Sequence, residues 1–376
     1  MIYRAPLFNT AETFVQAHVL SLDRYRPLLA GLEDKGNIPP SLAGSLFLPR
    51  GVGDLLRGRL GDLSWLAPRL QPERPRLIHA HFGPDGHAAV GLARRLGVPL
   101  VTTLHGYDVG RTDRTLLLSG RLSWMRYSLG RAHLARHGTL FLAVSDALRA
   151  KALAAGFPPE RTVTHYNGVD LTRFPVAVGD DGATILHVGR LVEKKGTALL
   201  LKAFSRIKAA HPDARVIIIG EGPLRARLEG LAGQLGIGQA AQFLGYQPPT
   251  AVSEWMRRAA VFAAPCITAG DGDAEGGPLV VVEAAASGLP VVGSDHGGIP
   301  ETVADGRSGF VVPEGDVETL ADRLGRLLAS ADLRQAMGAA GRTLAETRFD
   351  LRVQTERLER LYDSLLARAP LTTGRL

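Results

Sequence analysis

The chain has 376 residues, 45% of them hydrophobic and 22% charged, with a net charge of +7 and a single cysteine. That length suits two domains of ordinary size. A lone Cys266 excludes an internal disulfide framework, and no apolar run approaches the roughly 20 residues of a membrane-spanning helix.

The first residues, MIYRAPLFNTAETF, lack the unbroken apolar core of a signal peptide, and the single cysteine makes a cytoplasmic address the expectation. Charge is uneven along the chain. Residues 1–175 hold 22 Lys/Arg against 13 Asp/Glu, whereas the remainder is close to neutral, with 22 against 24. A basic half attracts anionic partners such as phospholipid headgroups, nucleic acid or diphosphates. Solvated arginines on an ordinary surface are the plainer reading of the same excess.

Short Val/Ile/Leu runs alternate with longer helical stretches, the pattern of parallel α/β sheets. In the first half the strand candidates are RLIHAHF (76–82), PLVTTLH (99–105), TLFLAVS (139–145) and RTVTHYN (161–167). Helical patterns lie between them at 85–97 and 145–156, the second with Ser145 as N-cap and Gly156 as its stop. HAHFGPDGH (79–87) offers His79, His81 and His87 as metal ligands. Only the first two share a strand face and no carboxylate stands at ligand spacing, so no metal site is expected. TTLHGYDV places His105 at a strand end, where a side chain protrudes, although a lone histidine is as readily structural. In residues 115–135, Leu118, Leu122, Met125, Leu129 and Ala132 form one helical stripe flanked by Arg121 and Arg126. A face resting on a membrane and a core face with solvated arginines both fit that stripe.

An aperiodic stretch follows, read as a linker over 171–182 between domains spanning 1–170 and 183–345. A second strand series runs ATILHVG, ARVIIIG, AAQFLGY, AVFAAPC, PVVGSD and GFVVP, with helices expected at 197–211 and 223–236. The first strand of this series ends at Gly189, and Arg190 and Lys195 follow in the loop. Strand ends of this kind face the ligand crevice of an open α/β sheet, where two cations would neutralise a diphosphate. IIIGEGPL closes the next strand, and its Gly222 fits either a flat base or a tight turn.

EGGPLVVVE (275–283) brackets an apolar run with two carboxylates. With Pro278 in the first turn of a helix, Glu275 lies in the preceding loop and Glu283 about 7.5 Å up the axis. The amides of Leu279, Val280 and Val281 would then be open to an anion, with Gly276 and Gly277 allowing close approach. A buried LVVV strand with solvated glutamates at its ends is the alternative. No GxSxG elbow is present, and Cys266 has no evident partner for nucleophilic chemistry. The last stretch, 350–369, is strongly helical, with Leu351, Leu358, Leu361 and Leu365 at helical spacing.

Together VGRLVEKKG, IIGEGPL, FLGY, EGGPLVVVEAAASGLPVVGSDHGGIPE and GFVVPEGD, with HAHFG, LHGYD, VSDAL and YNGVDLTRF, resemble glycosyltransferase family 4. The wording TAGDGDAEGGP with LHGYDV is similar to its bacterial exopolysaccharide branch, the colanic-acid type. The resemblance implies the GT-B fold, two facing Rossmann-like domains with a C-terminal segment (346–376) returning to the first. It implies a retaining hexosyltransferase using a UDP- or GDP-sugar and a glycan or polyprenyl-diphosphate-linked glycan acceptor. No metal or other cofactor and no nucleic acid is implied, while the inner face of the plasma membrane is a possible station. In that scheme Arg190 and Lys195 grip the donor diphosphate, and Glu275 takes hydroxyls of the transferred sugar. Glu283 holds the ribose, while Gly189, Gly222, Gly276, Gly277, Pro278 and Leu279 supply the backbone around the donor. His105 matches a histidine near the donor sugar. Asn9, Thr10, Glu12 and Thr13 match the acceptor-side loop, although Ala11 replaces the family's frequent serine. An epimerase of the same fold, or a noncatalytic partner subunit, is the alternative function.

Overall fold

The computed structural model describes residues 1–8, 12–176 and 180–368. Two compact units share the chain: residues 1–168 with 351–376, and residues 169–350. Each is built on a parallel sheet.

In the first unit the strands are β1 (Ile2–Tyr3), β2 (Leu29–Ala30), β3 (Leu46–Phe47), β4 (Ile78–His81), β5 (Leu100–Leu104), β6 (Leu140–Ala143) and β7 (Thr162–Thr164). Their order is β3-β2-β1-β4-β5-β6-β7, so the winding reverses between β1 and β4. The four strands with long apolar runs match the sequence expectation. The three short ones carry two residues each and gave no pattern to read. On β4, Ile78 and Ala80 face one buried apolar cluster. Alternation then turns His79 and His81 to the opposite face. Ser145 caps the helix Asp146–Ala154 by accepting from the Leu148 amide at 3.1 Å.

The C-terminal helix, Leu351–Arg368, belongs to this first unit. Leu358 and Tyr362 are buried against Leu77, Val101, Leu140 and Leu142, with Leu361 and Leu365 partly buried beside them. Leu351 packs at Gly168, where an added Cβ would lie 2.5 Å from its Cα, so glycine is needed for that approach. Glu359, buried, accepts from the amides of Asp23 and Arg24 and from the Arg24 guanidinium. Burying a carboxylate is tolerable only with such partners.

In the second unit the strands are β8 (Thr184–Val188), β9 (Arg215–Ile219), β10 (Ala241–Gly245), β11 (Val261–Ala264), β12 (Val291–Ser294) and β13 (Gly309–Val312). The order β10-β9-β8-β11-β12-β13 reverses between β8 and β11. The stretch 171–182 packs onto this unit in its described part. Phe174 is buried, and Asp180 takes two hydrogen bonds from Arg334, at 2.8 and 2.9 Å. The chain therefore changes unit at residues 168 and 169, ahead of the stretch read as a linker.

Candidate active site

In open α/β sheets ligands bind outside the strand C-termini at the point where winding reverses. In the second unit that point lies between β8 and β11, and the loops leaving these two strands carry Arg190, Lys195 and Glu275. After β8 the chain passes Gly189 and makes a short 3-10 turn, Glu193–Lys195. It reverses at Gly196 (φ 64°) and enters the helix Thr197–Ile207. Gly196 is forced twice over: its φ is left-handed, and a Cβ there would sit 1.7 Å from the Pro265 carbonyl oxygen. Gly222 has a negative φ but packs on the Leu191 backbone, where a Cβ would stand 2.4 Å from the carbonyl oxygen.

The turn brings two lysines onto one carboxylate. Lys195 Nζ lies 2.7 Å from Glu275 Oε2 and Lys194 Nζ lies 3.0 Å from Oε1, with Lys194 also 3.2 Å from Asp273. Burial pushes the Glu275 carboxyl up, but Lys195 and then Lys194 outweigh it and hold the group well below the usual carboxylate range. Lys195 is correspondingly raised: burial opposes its charge, and Glu275 more than compensates. Arg190 is exposed, and its charge is felt at Lys195.

Behind Glu275 stands a second layer. Its amide donates to His296 Nε2 at 3.1 Å, His296 Nδ1 is 2.8 Å from Glu314, and Glu314 also accepts from the Thr268 amide. Gly297, at φ 54°, passes so close that a Cβ would lie 2.0 Å from the Glu275 carbonyl oxygen. Lys194, Asp273, His296 and Glu314 escaped the sequence reading. For Lys194 a signal existed in the doubled lysine of EKKG; the others are joined only by the fold.

The run after Glu275 is helical: Leu279–Ala286, with Pro278 at the N-cap and no side chain capping it. The helix alternative therefore replaces the strand one, and the chain turns off at Gly288 (φ 73°). One expectation needs correcting. The Val281 amide is already bonded to the Pro278 carbonyl at 2.9 Å, which leaves Leu279 and Val280 as the amides without a backbone acceptor among the described residues. Glu283 is partly buried on this helix, where burial lifts its carboxyl to about 7, opposed only by Arg173. Cys266 is buried, its thiol pushed up to about 12 chiefly by burial.

In the first unit His105 follows β5. Asp108 accepts from the amides of His105, Gly106 and Gly83, which fixes the turn. The imidazole sits between Phe14 and Phe82, with ring centroids 4.5 and 4.4 Å away. His79 and His81 are joined by His18 rather than by His87, and the three present nitrogens within 4.8 Å of one another. His87 instead lies beside Gly130 and His133. Of the acceptor-side residues, Glu12 gives both carboxylate oxygens to Arg4, at 2.6 and 2.8 Å, and Thr13 opens the helix Thr13–Ser21. Arg4 is shared with Asp85 at 2.7 Å. Asn9 and Thr10 lie outside the described residues.

Two Rossmann-like units with a returning C-terminal helix define the GT-B class. A model of glycosyl transferases group 1 matches residues 169–344, and one of glycosyltransferase family 4 matches residues 15–173. The chain is 37% identical over 260 residues to a putative colanic acid biosynthesis glycosyltransferase, WcaL, of Salmonella typhimurium. That match spans 68% of this chain and 62% of the relative's length. It is 34% identical over 319 residues to a GDP-mannose-dependent alpha-(1-6)-phosphatidylinositol monomannoside mannosyltransferase of Mycolicibacterium smegmatis, covering 78% of this chain and 80% of that one. Among solved structures, HepE of Anabaena in complex with UDP and glucose superposes with a TM-score of 0.76 at 20% identity, over 96% of this chain and 98% of that one. The chain belongs to glycosyltransferase family 4.

Proposed function

We propose that the protein is a retaining hexosyltransferase, taking its sugar from a UDP- or GDP-sugar and passing it to a glycan or polyprenyl-diphosphate-linked glycan of a bacterial exopolysaccharide. The observation that carries this reading is the convergence of Lys195 and Lys194 on Glu275 at the winding reversal of the second sheet. A carboxylate held ionised beside two ammonium groups accepts sugar hydroxyls, and the cations balance a departing diphosphate. We assign the ribose hydroxyls to Glu283, on the helix that follows Glu275. The relatives named for GDP-mannose and colanic acid support the donor and pathway class.

Retention is supported by what Glu275 does not offer. Two ion pairs make it a weak base and a weak nucleophile, so the leaving phosphate is the better proton acceptor. The bond from the sugar's anomeric carbon to phosphate oxygen breaks, the bond to the acceptor oxygen forms on the same face, and the acceptor's proton passes to that phosphate. With Arg190, Lys194 and Lys195 supplying positive charge, we propose donor binding without a metal. Turnover with each nucleotide sugar, followed by NMR of the product's anomeric centre, tests the reading. A product of inverted configuration, or no turnover with any donor, contradicts it.

The acceptor reading draws on the first unit. Leu118, Leu122, Met125 and Leu129 are all exposed, Leu118 by 75% and Leu129 by 78%. They run along or just before the helix Leu122–His137, with Arg121 stacked on Trp124 and Arg126 lying against Gly61. Near Gly61 the helix Val52–Arg59 adds exposed Val52 and Leu56 with Arg57 and Arg59. Apolar side chains edged by arginines suit an anionic bilayer surface, where a lipid-linked acceptor would be found. No helix among the described residues is long and apolar enough to cross a membrane.

A further inference from the structure

The buried face of the first sheet carries a hydrogen-bonded row of side chains drawn from four elements. It begins at Thr103 on β5, whose Oγ1 is 2.7 Å from His79 Nε2. His79 Nδ1 is 2.5 Å from the Tyr362 hydroxyl of the C-terminal helix, which lies 3.3 Å from His18 Nε2. His18 Nδ1 is 3.1 Å from His81 Nε2, and His81 Nδ1 is 3.1 Å from His105 Nε2. The rings of His79 and His81 stack at 4.8 Å, and those of His81 and His105 at 5.3 Å.

Both nitrogens of His18, His79 and His81 are thus engaged, and a neutral imidazole has one hydrogen and one lone pair to share among them. Tyr362 has a single hydroxyl hydrogen, and if its oxygen accepted from both His79 and His18 that buried hydrogen would have no acceptor among the described residues, which leaves two uniform polarities to compare. In one, every hydrogen points from Thr103 toward His105. In the other, every hydrogen points back, and the buried Thr103 hydroxyl must accept from His79 while its own hydrogen has no acceptor among the described residues. Leaving a buried donor unmade is the costlier choice. We infer that Thr103, His79, Tyr362, His18 and His81 form a one-way relay that fixes His105 as the tautomer carrying its proton on Nδ1.

Burial keeps the rings neutral, as the relay requires: it lowers His18 to about 3, and His79, His81 and His105 move down for the same reason, helped at His81 and His105 by Arg4. The consequence is a donor, rather than an acceptor, at the one His105 nitrogen outside the row. These residues are positioning residues, and their bearing on catalysis rests on the proposed part of His105 in sugar transfer. A metal ion at His18, His79 and His81 is the competing occupant, since the three nitrogens are near enough to share one. It would have to break hydrogen bonds that already satisfy all three rings.

Selective 15N-histidine labelling and long-range 1H–15N spectra read each tautomer directly, with His105 assigned through His105→Gln. The relay predicts His105 protonated on Nδ1 alone. Thr103→Val removes the starting donor at nearly constant volume and should leave His105 a mixture of tautomers, whereas Thr103→Ser keeps the single form. Tyr362→Phe should do the same as Thr103→Val, with a melting curve as its folding control. Thr103→Val should also lower kcat about fivefold or more, with donor KM unchanged, and Thr103→Ser should restore it. His105 protonated on Nε2 or on both nitrogens overturns the relay, as does one tightly held transition-metal ion per chain on metal analysis. Should the tautomers behave as predicted while Thr103→Val turns over at the wild-type rate, the relay stands and the part assigned to His105 in transfer falls.

Discussion

Glu283 and Glu275 have the same side chain and opposite electrostatics. Two lysines keep Glu275 ionised, whereas burial leaves Glu283 titrating near 7. If the ionised form is what accepts ribose hydroxyls, donor affinity should rise about tenfold between pH 6 and pH 8, the range over which a group of that pKa changes charge. Calorimetric titration at the two pH values checks this, and Glu283→Gln should bind weakly and equally at both. The same shift has a stability sign. A carboxyl whose folded value is raised binds its proton more tightly when folded, so the free protein should lose stability as pH climbs from about 4.5 to about 7. Glu283→Gln should remove that decline from urea-unfolding curves. If the leaving phosphate binds at Lys195 as proposed, loss of that ammonium should cost about 100- to 1,000-fold in kcat, the usual effect of deleting one transition-state electrostatic partner. The loop after a strand end made Lys195 legible as a candidate in the sequence, and the Gly-Gly-Pro helix start did so for Glu275 and Glu283. His18, His296 and Glu314 were not legible, because each gains meaning only from a partner more than fifteen residues away.

The elements that carry the site were visible wherever apolar runs were long. β5, β6, β8, β9 and β12 fall inside the stretches expected for them. β1 to β3 are two residues each, too short for a period-two pattern, and they exist because β4 and its neighbours offer edges to pair with. Leu279–Ala286 shows the reverse case. Three valines favour a strand locally, yet Pro278 starts and Gly288 stops a helix, and packing of Val281, Val282 and Ala284–Ala286 into the core decides the matter. The reversal at Gly196, directly after Lys195, is exposed to a single change. Gly196→Ala places a methyl against the Pro265 oxygen in a left-handed conformation, and should cost about 1–3 kcal/mol or more. The urea midpoint should fall, and donor binding should weaken with it because Lys194 and Lys195 directly precede the displaced residue. An unchanged midpoint would show that the turn relaxes freely.

Across the whole molecule, charge divides between the two units. The excess positive charge lies in residues 1–175, and there the exposed Leu118, Leu122, Met125 and Leu129 stand among arginines. The protein should sediment with phosphatidylglycerol-containing vesicles at low salt and be released at high salt, because the arginine attraction is screened. Leu118→Ser with Leu129→Ser should reduce sedimentation while leaving donor binding intact. Vesicles that fail to carry the protein down at low salt would remove the membrane from the account. The nucleotide and diphosphate, by contrast, are proposed to bind on the second unit, at the reversal between β8 and β11, with His105 of the first unit assigned to the transferred sugar. The most direct test is a thermal-shift panel of UDP-, GDP- and ADP-sugars on the wild type, Lys195→Ala, Glu283→Ala and, as a charge-matched control on the exposed face of the next helix, Lys202→Ala. One nucleotide class should raise the melting temperature of the wild type and of Lys202→Ala and leave the other two variants unmoved. A shift in Lys195→Ala and Glu283→Ala equal to that of the wild type would contradict the placement of the diphosphate and ribose at these residues.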